Sequence, residues 1–339
     1  MPDPRPIPGT PRPGIGGPRP GPGTVGPRPD ASGTGPTPGG LRPGPRDPRP
    51  DAGTGDPRPD AGLGGPRPGT GDPRPTPGGF FTHVRPGRPG LALFLNAGDP
   101  PLEHLPDLAA LLDESDVDCL ELAVPFPGSV TDGPVIRASA DRALAAGTDL
   151  PAVLAAVARI RPGLKRLRIA LLADFSHTVK GTAPGDFAAA VRDAGCDGLL
   201  LHGVPPRLRG AHYEAAHTAG LPLVTTCYAV SKADAVAEAA AHASAYLYLV
   251  AHYGRSGTAA ALDRDRLARS IADLHATASV PVAVGFGVKT RADIALLEEL
   301  GADAAVVGSA GVARIADALA KGRDPVEEFG SFVRELRGR

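Results

Sequence analysis

From about residue 80 onward, short apolar runs alternate with longer stretches in which apolar residues recur at helical spacing. The short runs are apolar throughout rather than at every second position, which is typical of strands covered on both faces in a parallel sheet. The pattern predicts strands at 91–96, 119–124, 168–173, 198–202, 221–226, 246–251, 281–286 and 304–309.

Helical periodicity fills the intervals between these runs. It predicts helices at 106–115, at 141–160 with a break near Gly147–Pro151, at 186–195 and at 291–301. Several of them close on a glycine, which is a helix C-cap signal. Eight strand–helix repeats in about 250 residues predict a (β/α)8 TIM barrel, an α/β fold. A doubly wound sheet is the alternative, but the sequence NAGDPP after the first strand lacks the glycine fingerprint of that fold.

Residues 1–79 have a different composition. They hold 24 of the 40 prolines, have no aromatic residue and repeat Pro-Arg-Pro units. With few apolar side chains to bury, we expect a low-complexity, disordered tail. It is a dispensable extension, a partner-binding tail or the product of a start codon assigned too early. Residues 80–339 are predicted to form the catalytic barrel domain.

Charge, apolar run length and cysteine usage narrow the class of protein. The tail is weakly basic with interleaved signs and no stacking aromatics, so we expect no nucleic-acid partner. The chain has no run of 18 apolar residues and no signal pattern, so we expect no membrane association. Cys119, Cys196 and Cys227 fit no zinc spacing, which favours buried free thiols in a reducing cytoplasm.

Two acids stand out near the second predicted strand. Glu121 lies inside an apolar run, and Asp132 follows in a loop rich in glycine and proline. In a barrel of this kind, active-site residues lie at the carboxyl ends of strands and in the loops that follow them. Burying a carboxylate is costly and raises its pKa, which suits a group that transfers protons. We therefore expect Glu121 to be functional, although a structural acid satisfied by backbone donors or an arginine is the alternative.

Glycines follow the last three strands, at 254–257 (GRSG), 285–287 (GFG) and 308–309 (GS). Glycine lets backbone N–H groups approach an anion, and a helix after Ser309 would direct its N-terminus at the same point. Each segment alone is a weak signal. Together, at neighbouring strand ends, they predict a site for a phosphate ester.

Seven segments carry a family resemblance in order along the chain: NAGDP (96–100), LELAVPF (120–126), TDGP (131–134), DGLLLHGVPP (197–206), YLVAHYGRSG (248–257), VGFGV (284–288) and VVGSA (306–310). Over roughly residues 88–337, the chain resembles the α subunit of tryptophan synthase. The pair of motifs around Glu121 and Asp132 is specific, whereas other barrels share the phosphate motifs.

The resemblance implies retro-aldol cleavage of indole-3-glycerol phosphate to indole and glyceraldehyde 3-phosphate in tryptophan biosynthesis. By similarity, Glu121 protonates C3 of the indole and removes the proton of the side-chain hydroxyl. Asp132 would stabilise the positive charge that develops on the ring nitrogen. The resemblance implies no metal ion and no organic cofactor.

The same resemblance implies which residues bind the substrate. Phe94, Tyr248 and Phe286 would line the indole pocket. The phosphate would be held, mainly through backbone donors, by Gly257, Gly287, Gly308 and Ser309.

The chain departs from the family pattern at the pocket rim. Ala123 replaces a glycine, and residues 127–131 lack the usual Asp-Pro, which puts the coupling to a β subunit in doubt. Asp174 and Ser176 replace a tyrosine and an asparagine, and Gly203 replaces an aspartate. His202 and His252 could line the pocket, and Asp174 is either a new polar pocket group or simply solvated.

Three hypotheses follow for the function. The first is an ordinary α subunit that works with a β subunit. The second is a stand-alone indole-3-glycerol phosphate lyase that feeds free indole to another pathway. The third is a catalytically inactive homologue that acts as a binding or regulatory partner, and the presence of Glu121 and Asp132 argues against it.

Overall fold

A computed structural model describes residues 79–82, 84–229, 231–251, 263–285 and 287–338. In this part of the chain, eight strands occur where the apolar runs predict them. They are β1 (Gly90–Asn96), β2 (Cys119–Ala123), β3 (Arg168–Asp174), β4 (Gly198–His202), β5 (Leu223–Tyr228), β6 (Tyr246–Val250), β7 (Val282–Gly285) and β8 (Ala304–Val307).

Helices follow the strands within the described residues. They are α1 (Leu105–Glu114), α2 (Pro134–Ala145), α3 (Leu150–Ile160), α4 (Pro184–Asp193), α5 (Pro206–Thr218), α6 (Ala233–His242), α7 (Arg264–Thr277), α8 (Arg291–Glu299), α9 (Ser309–Ala320) and α10 (Pro325–Arg337). The predicted break at 147–151 separates α2 from α3. Gly147 there has a φ of +79°, and the Asp149 side chain caps α3 by accepting the Ala152 N–H.

The strands form a closed barrel in sequence order, and every neighbouring pair is parallel. β1 closes the ring by pairing with β8, where Leu91 lies opposite Ala305. The prediction of a (β/α)8 TIM barrel is confirmed. The doubly wound alternative is wrong because the last strand returns to the first and leaves no sheet edge.

Two apolar cores explain why the strands are apolar on both faces. One core lies between the strands and the surrounding helices and includes Leu91, Leu93 and Leu95 of β1. The other fills the barrel interior and includes Ala92, Ala170, Tyr246 and further inward-facing residues. Because successive residues of a strand face opposite sides, each strand contributes to both cores.

Two phenylalanines before β1 pack into the interior core at the amino ends of the strands. The rings of Phe80 and Phe81 lie 5.3 and 5.1 Å from the Tyr246 ring, centroid to centroid. Glycines make room for them, since a Cβ at Gly90 would lie 2.5 Å from Phe81 and one at Gly198 would lie 2.9 Å from Phe80. We call Phe80 and Phe81 the aromatic plug of the barrel.

The structure also bears on the predictions about the cysteines, membrane-spanning helices and the N-terminal segment. Cys119, Cys196 and Cys227 are buried and free, as expected. Among the described residues, no single helix is long and apolar enough to cross a membrane. Helix α2 and residues 150–163 reach such a length and apolar content only when they are taken together, and a bend of 93° separates them. The predicted disorder of residues 1–79 lies outside the described residues apart from Gly79. The proposed domain boundary at 79/80 stays a prediction.

Candidate active site

Glu121 lies in the middle of β2, with its backbone opposite Phe94 of β1 and Ala170 of β3. The residue is only 2% exposed. The hydroxyl of Tyr246 donates a hydrogen bond of 2.5 Å to its Oε1. Burial raises the pKa of Glu121 from 4.5 to about 7, and the Tyr246 hydrogen bond limits the rise because it favours the carboxylate. Near neutral pH, this carboxyl group can therefore both donate and accept a proton.

Tyr246 is a residue of the candidate site that the sequence pattern did not single out. It begins β6, two residues before Tyr248, so the two phenols face the same side of the strand. Its hydroxyl also lies 3.8 Å from the sulfur of Cys119. Since the aromatic plug packs on its ring, Tyr246 is fixed from below while its hydroxyl orients Glu121. The repeat of tyrosine at i and i+2 in an inward-facing strand is the signal that could have identified it.

Asp132 lies in the loop between β2 and α2, and its backbone is held by the side chain of Ser129. The Ser129 hydroxyl donates a 2.7 Å hydrogen bond to Oδ2 of Asp132 and accepts the Asp132 N–H at 3.3 Å. Gly128 just before it has a φ of +69°, which favours glycine in this turn. Gly128-Ser129 thus forms a local support for the second acid in place of the family's usual Asp-Pro.

Tyr248 connects the two acids. Tyr248 is half-buried, and the loss of water around its phenol is the main reason that its pKa lies well above the usual value. The negative charges of Glu121 and Asp132 add to that rise, followed by Tyr228. Both carboxylates therefore act electrostatically on one phenol. That the two acids face a common substrate stays a prediction.

The glycines of the predicted phosphate site are only partly within the described residues. Helix α9 begins at Ser309, directly after Gly308, and its first N–H groups receive no side-chain cap. A Cβ at Gly308 would lie 3.7 Å from Cβ of Phe94, so this corner adjoins the predicted indole pocket. Gly287 has a φ of +86° and open space around the position of a Cβ. These features suit an anion bound by backbone donors.

Three other predicted residues of this region, Gly257, Phe286 and His252, lie outside the described residues. Tyr248, which the sequence analysis assigned to the indole pocket, adjoins the last residue of β7, because a Cβ at Gly285 would lie 2.6 Å from its hydroxyl. The structure thus brings together Phe94, Tyr248 and Glu121 with the strand ends that precede Gly287 and Gly308. The roles of these residues stay predictions.

The rim at the ends of β3 and β4 carries the polar substitutions noted in the sequence. Asp174 is buried, with 6% of its surface exposed, and its Oδ1 accepts hydrogen bonds from the backbone N–H and Nδ1 of His177. It caps a π-helical turn at Phe175–Val179. Of the two readings of Asp174, the solvated one is wrong. Phe126 stacks with His177 and with His202, at 5.6 and 6.0 Å between centroids.

Taken together, the site offers a carboxyl group poised for proton transfer, a second carboxylate that acts on the same phenol and a helix N-terminus next to glycines. A reaction in which one carbon gains a proton, one hydroxyl loses it and a cation forms transiently fits these groups. An anionic handle on the substrate fits the ends of β7 and β8.

Comparisons with known proteins agree with this geometry. The family model described as tryptophan synthase alpha chain matches residues 80–338. The chain is 36% identical over 251 residues to the tryptophan synthase alpha chain of Burkholderia mallei, covering 74% of this chain and 91% of that one. The alpha chain of Paraburkholderia phymatum is 33% identical over the same length and with the same shares.

Solved structures are similar as well. The tryptophan synthase subunit alpha of Legionella pneumophila superposes with a TM-score of 0.67 at 28% identity, covering 75% of this chain and 93% of that one. A chain of the tryptophan synthase complex of Pyrococcus furiosus gives a TM-score of 0.65 at 28% identity, with 74% and 98% covered.

Proposed function

Because the chain belongs to the tryptophan synthase alpha chain family, we propose that its two acids, Glu121 and Asp132, carry out the reaction of that family. The chain cleaves indole-3-glycerol phosphate to indole and glyceraldehyde 3-phosphate, a carbon–carbon lyase reaction of tryptophan biosynthesis. The observation that carries the assignment of roles is the buried Glu121, whose pKa of about 7 and hydrogen bond to Tyr246 suit a proton shuttle.

The proton balance of the reaction needs only one such shuttle. Protonated Glu121 gives its proton to C3 of the indole, which turns the ring into a leaving group with a positive nitrogen. The resulting carboxylate takes the proton of the hydroxyl on the adjacent side-chain carbon. As that hydroxyl becomes an aldehyde, the carbon–carbon bond breaks and its electron pair returns to the ring. Glu121 is again protonated, and no net proton is released.

Asp132 acts on the charge that forms between these two proton transfers. A carboxylate next to the ring N–H stabilises the positive nitrogen more strongly than the neutral substrate, so it lowers the barrier rather than only tightening binding. The Ser129 hydroxyl, bonded to Oδ2, fixes the orientation of this carboxylate. Its charge also raises the pKa of Tyr248, as that of Glu121 does, which supports a position of both acids near this phenol.

The phosphate would anchor the substrate at the ends of β7 and β8. Gly287, Gly308 and Ser309 supply backbone donors there, together with Gly257 from the loop after β6. Phe94 adjoins Gly308 and would pack on the indole, as would Tyr248 and Phe286. The distance between the phosphate corner and Glu121 then sets which carbon of the ring meets the acid.

Similarity to alpha chains throughout residues 80–338 favours an α subunit over a stand-alone lyase or an inactive homologue. Tryptophan synthase alpha chains act with a β subunit, and we extend this partner to the present chain. Val130, in the divergent loop 127–131, is 80% exposed and offers an apolar contact beside the barrel mouth. The buried free cysteines suit a cytoplasmic location.

The test is indole release from indole-3-glycerol phosphate by the purified full-length protein, first alone and then with the β subunit of the same organism. We expect indole formation in both conditions and a higher rate with the partner. Absence of turnover in both conditions would overturn the assigned reaction. Turnover that the β subunit leaves unchanged would overturn the partner and leave the reaction in place.

A further inference from the structure

Asp174 and His202 form a pair of polar residues at the mouth of the barrel. They end β3 and β4 and lie opposite each other in the parallel pairing of these strands. Asp174 follows Ala170 and Leu172 at two-residue spacing, and both of those residues belong to the interior core. By the alternation of side chains along a strand, Asp174 therefore lies on the inward face, one layer above Leu172.

The Asp174 carboxylate is held firmly but is only half satisfied. Oδ1 accepts from the N–H of His177 at 3.0 Å and from its Nδ1 at 2.7 Å. Within the described part of the chain, Oδ2 has no hydrogen-bond partner. It faces Gly203, where a Cβ would lie 3.2 Å from it. Asp174 is only 6% exposed as a residue, and this oxygen remains open as an acceptor at the mouth of the barrel.

His202 supplies the complementary group. Its ring stacks on Phe126 at an interplanar angle of 27°, and no other described residue hydrogen-bonds to its imidazole. A neutral imidazole offers one N–H donor and one acceptor nitrogen. An acceptor on Asp174 and a donor on His202 therefore stand side by side at the ends of paired strands.

The barrel order places this pair opposite the phosphate corner. In a closed ring of eight strands, β3 and β4 lie across the barrel from β7 and β8. A substrate that is anchored by its phosphate at Gly308 and meets Glu121 of β2 through C3 extends its six-membered ring toward β3 and β4. The side of the substrate nearest Asp174 is thus the outer edge of the benzo ring.

We propose that Asp174 and His202 bind a hydroxyl group on the six-membered ring, so that the substrate class is ring-hydroxylated indole-3-glycerol phosphate. The inference rests on the proposed function and narrows its substrate. A ring hydroxyl donates to Oδ2 of Asp174 and accepts from His202, whereas a methyl group or a hydrogen does neither. Capping of the Phe175–Val179 turn accounts for Oδ1 of Asp174 but leaves Oδ2 without a role.

The test runs the cleavage in reverse, because an aldol reaction is reversible. Glyceraldehyde 3-phosphate is combined with indole, with the four hydroxyindoles substituted at positions 4 to 7, and with the methylindoles substituted at the same positions. For one isomer we expect kcat/KM of the hydroxyindole to exceed that of the matched methylindole by about ten- to a hundredfold, the usual effect of a hydrogen bond to a charged group.

Two variants and one control variant test whether this preference depends on Asp174 and His202. Asp174→Ser retains a capping hydroxyl but removes Oδ2, and His202→Phe retains the stack on Phe126 but removes the donor. Both variants should bring the ratio of kcat/KM for the hydroxyindole to that for the methylindole close to one. A general loss of activity lowers both values and therefore cancels in the ratio. Asp193→Ser, the same change at an exposed position of α4, should leave the ratio unchanged.

Each outcome decides the proposal. A wild-type ratio near one for all four positions overturns it, as does a high ratio that survives in Asp174→Ser. If neither indole nor any of the substituted indoles is turned over, the proposed function fails. The subsite is then tested separately, by calorimetric titration of the protein with the hydroxyindoles and methylindoles in inorganic phosphate. Equal dissociation constants for both series would then overturn the subsite as well.

Discussion

Replacing Glu121 with glutamine should stabilise the protein at alkaline pH while abolishing its activity. The reason is that burial raises the pKa of this carboxyl group from 4.5 to about 7. Because the folded pKa is the higher one, the folded state binds the proton more tightly than the unfolded chain does. The stabilisation that protonated Glu121 provides is fully present below pH 4.5 and is lost as the pH rises through 7.

The size of the effect follows from the two pKa values. At about 1.4 kcal/mol per pH unit, the difference between 4.5 and about 7 amounts to ~3 kcal/mol once the pH is well above 7. Glutamine is neutral at every pH and avoids this cost. The free energy of unfolding of Glu121→Gln minus that of the wild type should therefore increase by about 2–3 kcal/mol between pH 5 and pH 8.5.

Urea unfolding followed by far-UV circular dichroism is the suitable assay, since the chain has no tryptophan for fluorescence. Glu103→Gln, a change at an exposed position, serves as the matched control and should show no such pH-dependent difference. A difference between Glu121→Gln and wild type that stays constant from pH 5 to pH 8.5 would refute the reasoning. Indole formation by Glu121→Gln should be lost in a protein that remains folded, and near-normal turnover would refute the shuttle role.

Two further predictions concern the groups around this acid. Tyr246→Phe removes the hydrogen bond that lowers the pKa of Glu121, so the alkaline decline of kcat/KM should move to higher pH; a profile between pH 5.5 and 9 with an unchanged decline would contradict the positioning role of Tyr246. Asp132→Asn should lower kcat by about 10²–10³-fold with little change in KM, because it removes charge stabilisation in the transition state. Steady-state kinetics that show only a higher KM would assign Asp132 to binding alone.

The sequence predicted the barrel because its decisive signal is local. An apolar run of five or six residues between helical segments marks a strand, and the run at 198–202 coincides with β4. The run at 221–226 begins two residues before β5, since Pro222 lacks the N–H that a strand ladder needs and the strand begins at Leu223. Glu121 can be singled out because an acid in a buried strand is chemically conspicuous, and Asp132 because it follows in the loop after that strand. Their roles stay predictions.

The rest of the site depends on contacts that no local pattern contains. Tyr246 is 125 residues from Glu121 along the chain, and in the sequence it is one more residue of an apolar run. Asp174 could be identified as a substitution, but whether it was solvated or buried depended on the His177 turn and on the absence of a side chain at Gly203. These contacts join residues that are far apart in the sequence or in separate loops, and they form only once the barrel has closed.

Among the described residues, the aromatic plug fills one end of the barrel. Phe80 and Phe81, both about 95% buried, fill the end at which the strands begin, with Tyr246 directly above them. In the described part of the chain, these rings block the downward route for an apolar product released beside Glu121, and the open direction is toward the rim, where Val130 is exposed. Two rings at one end of the barrel thus direct an apolar product toward the other end.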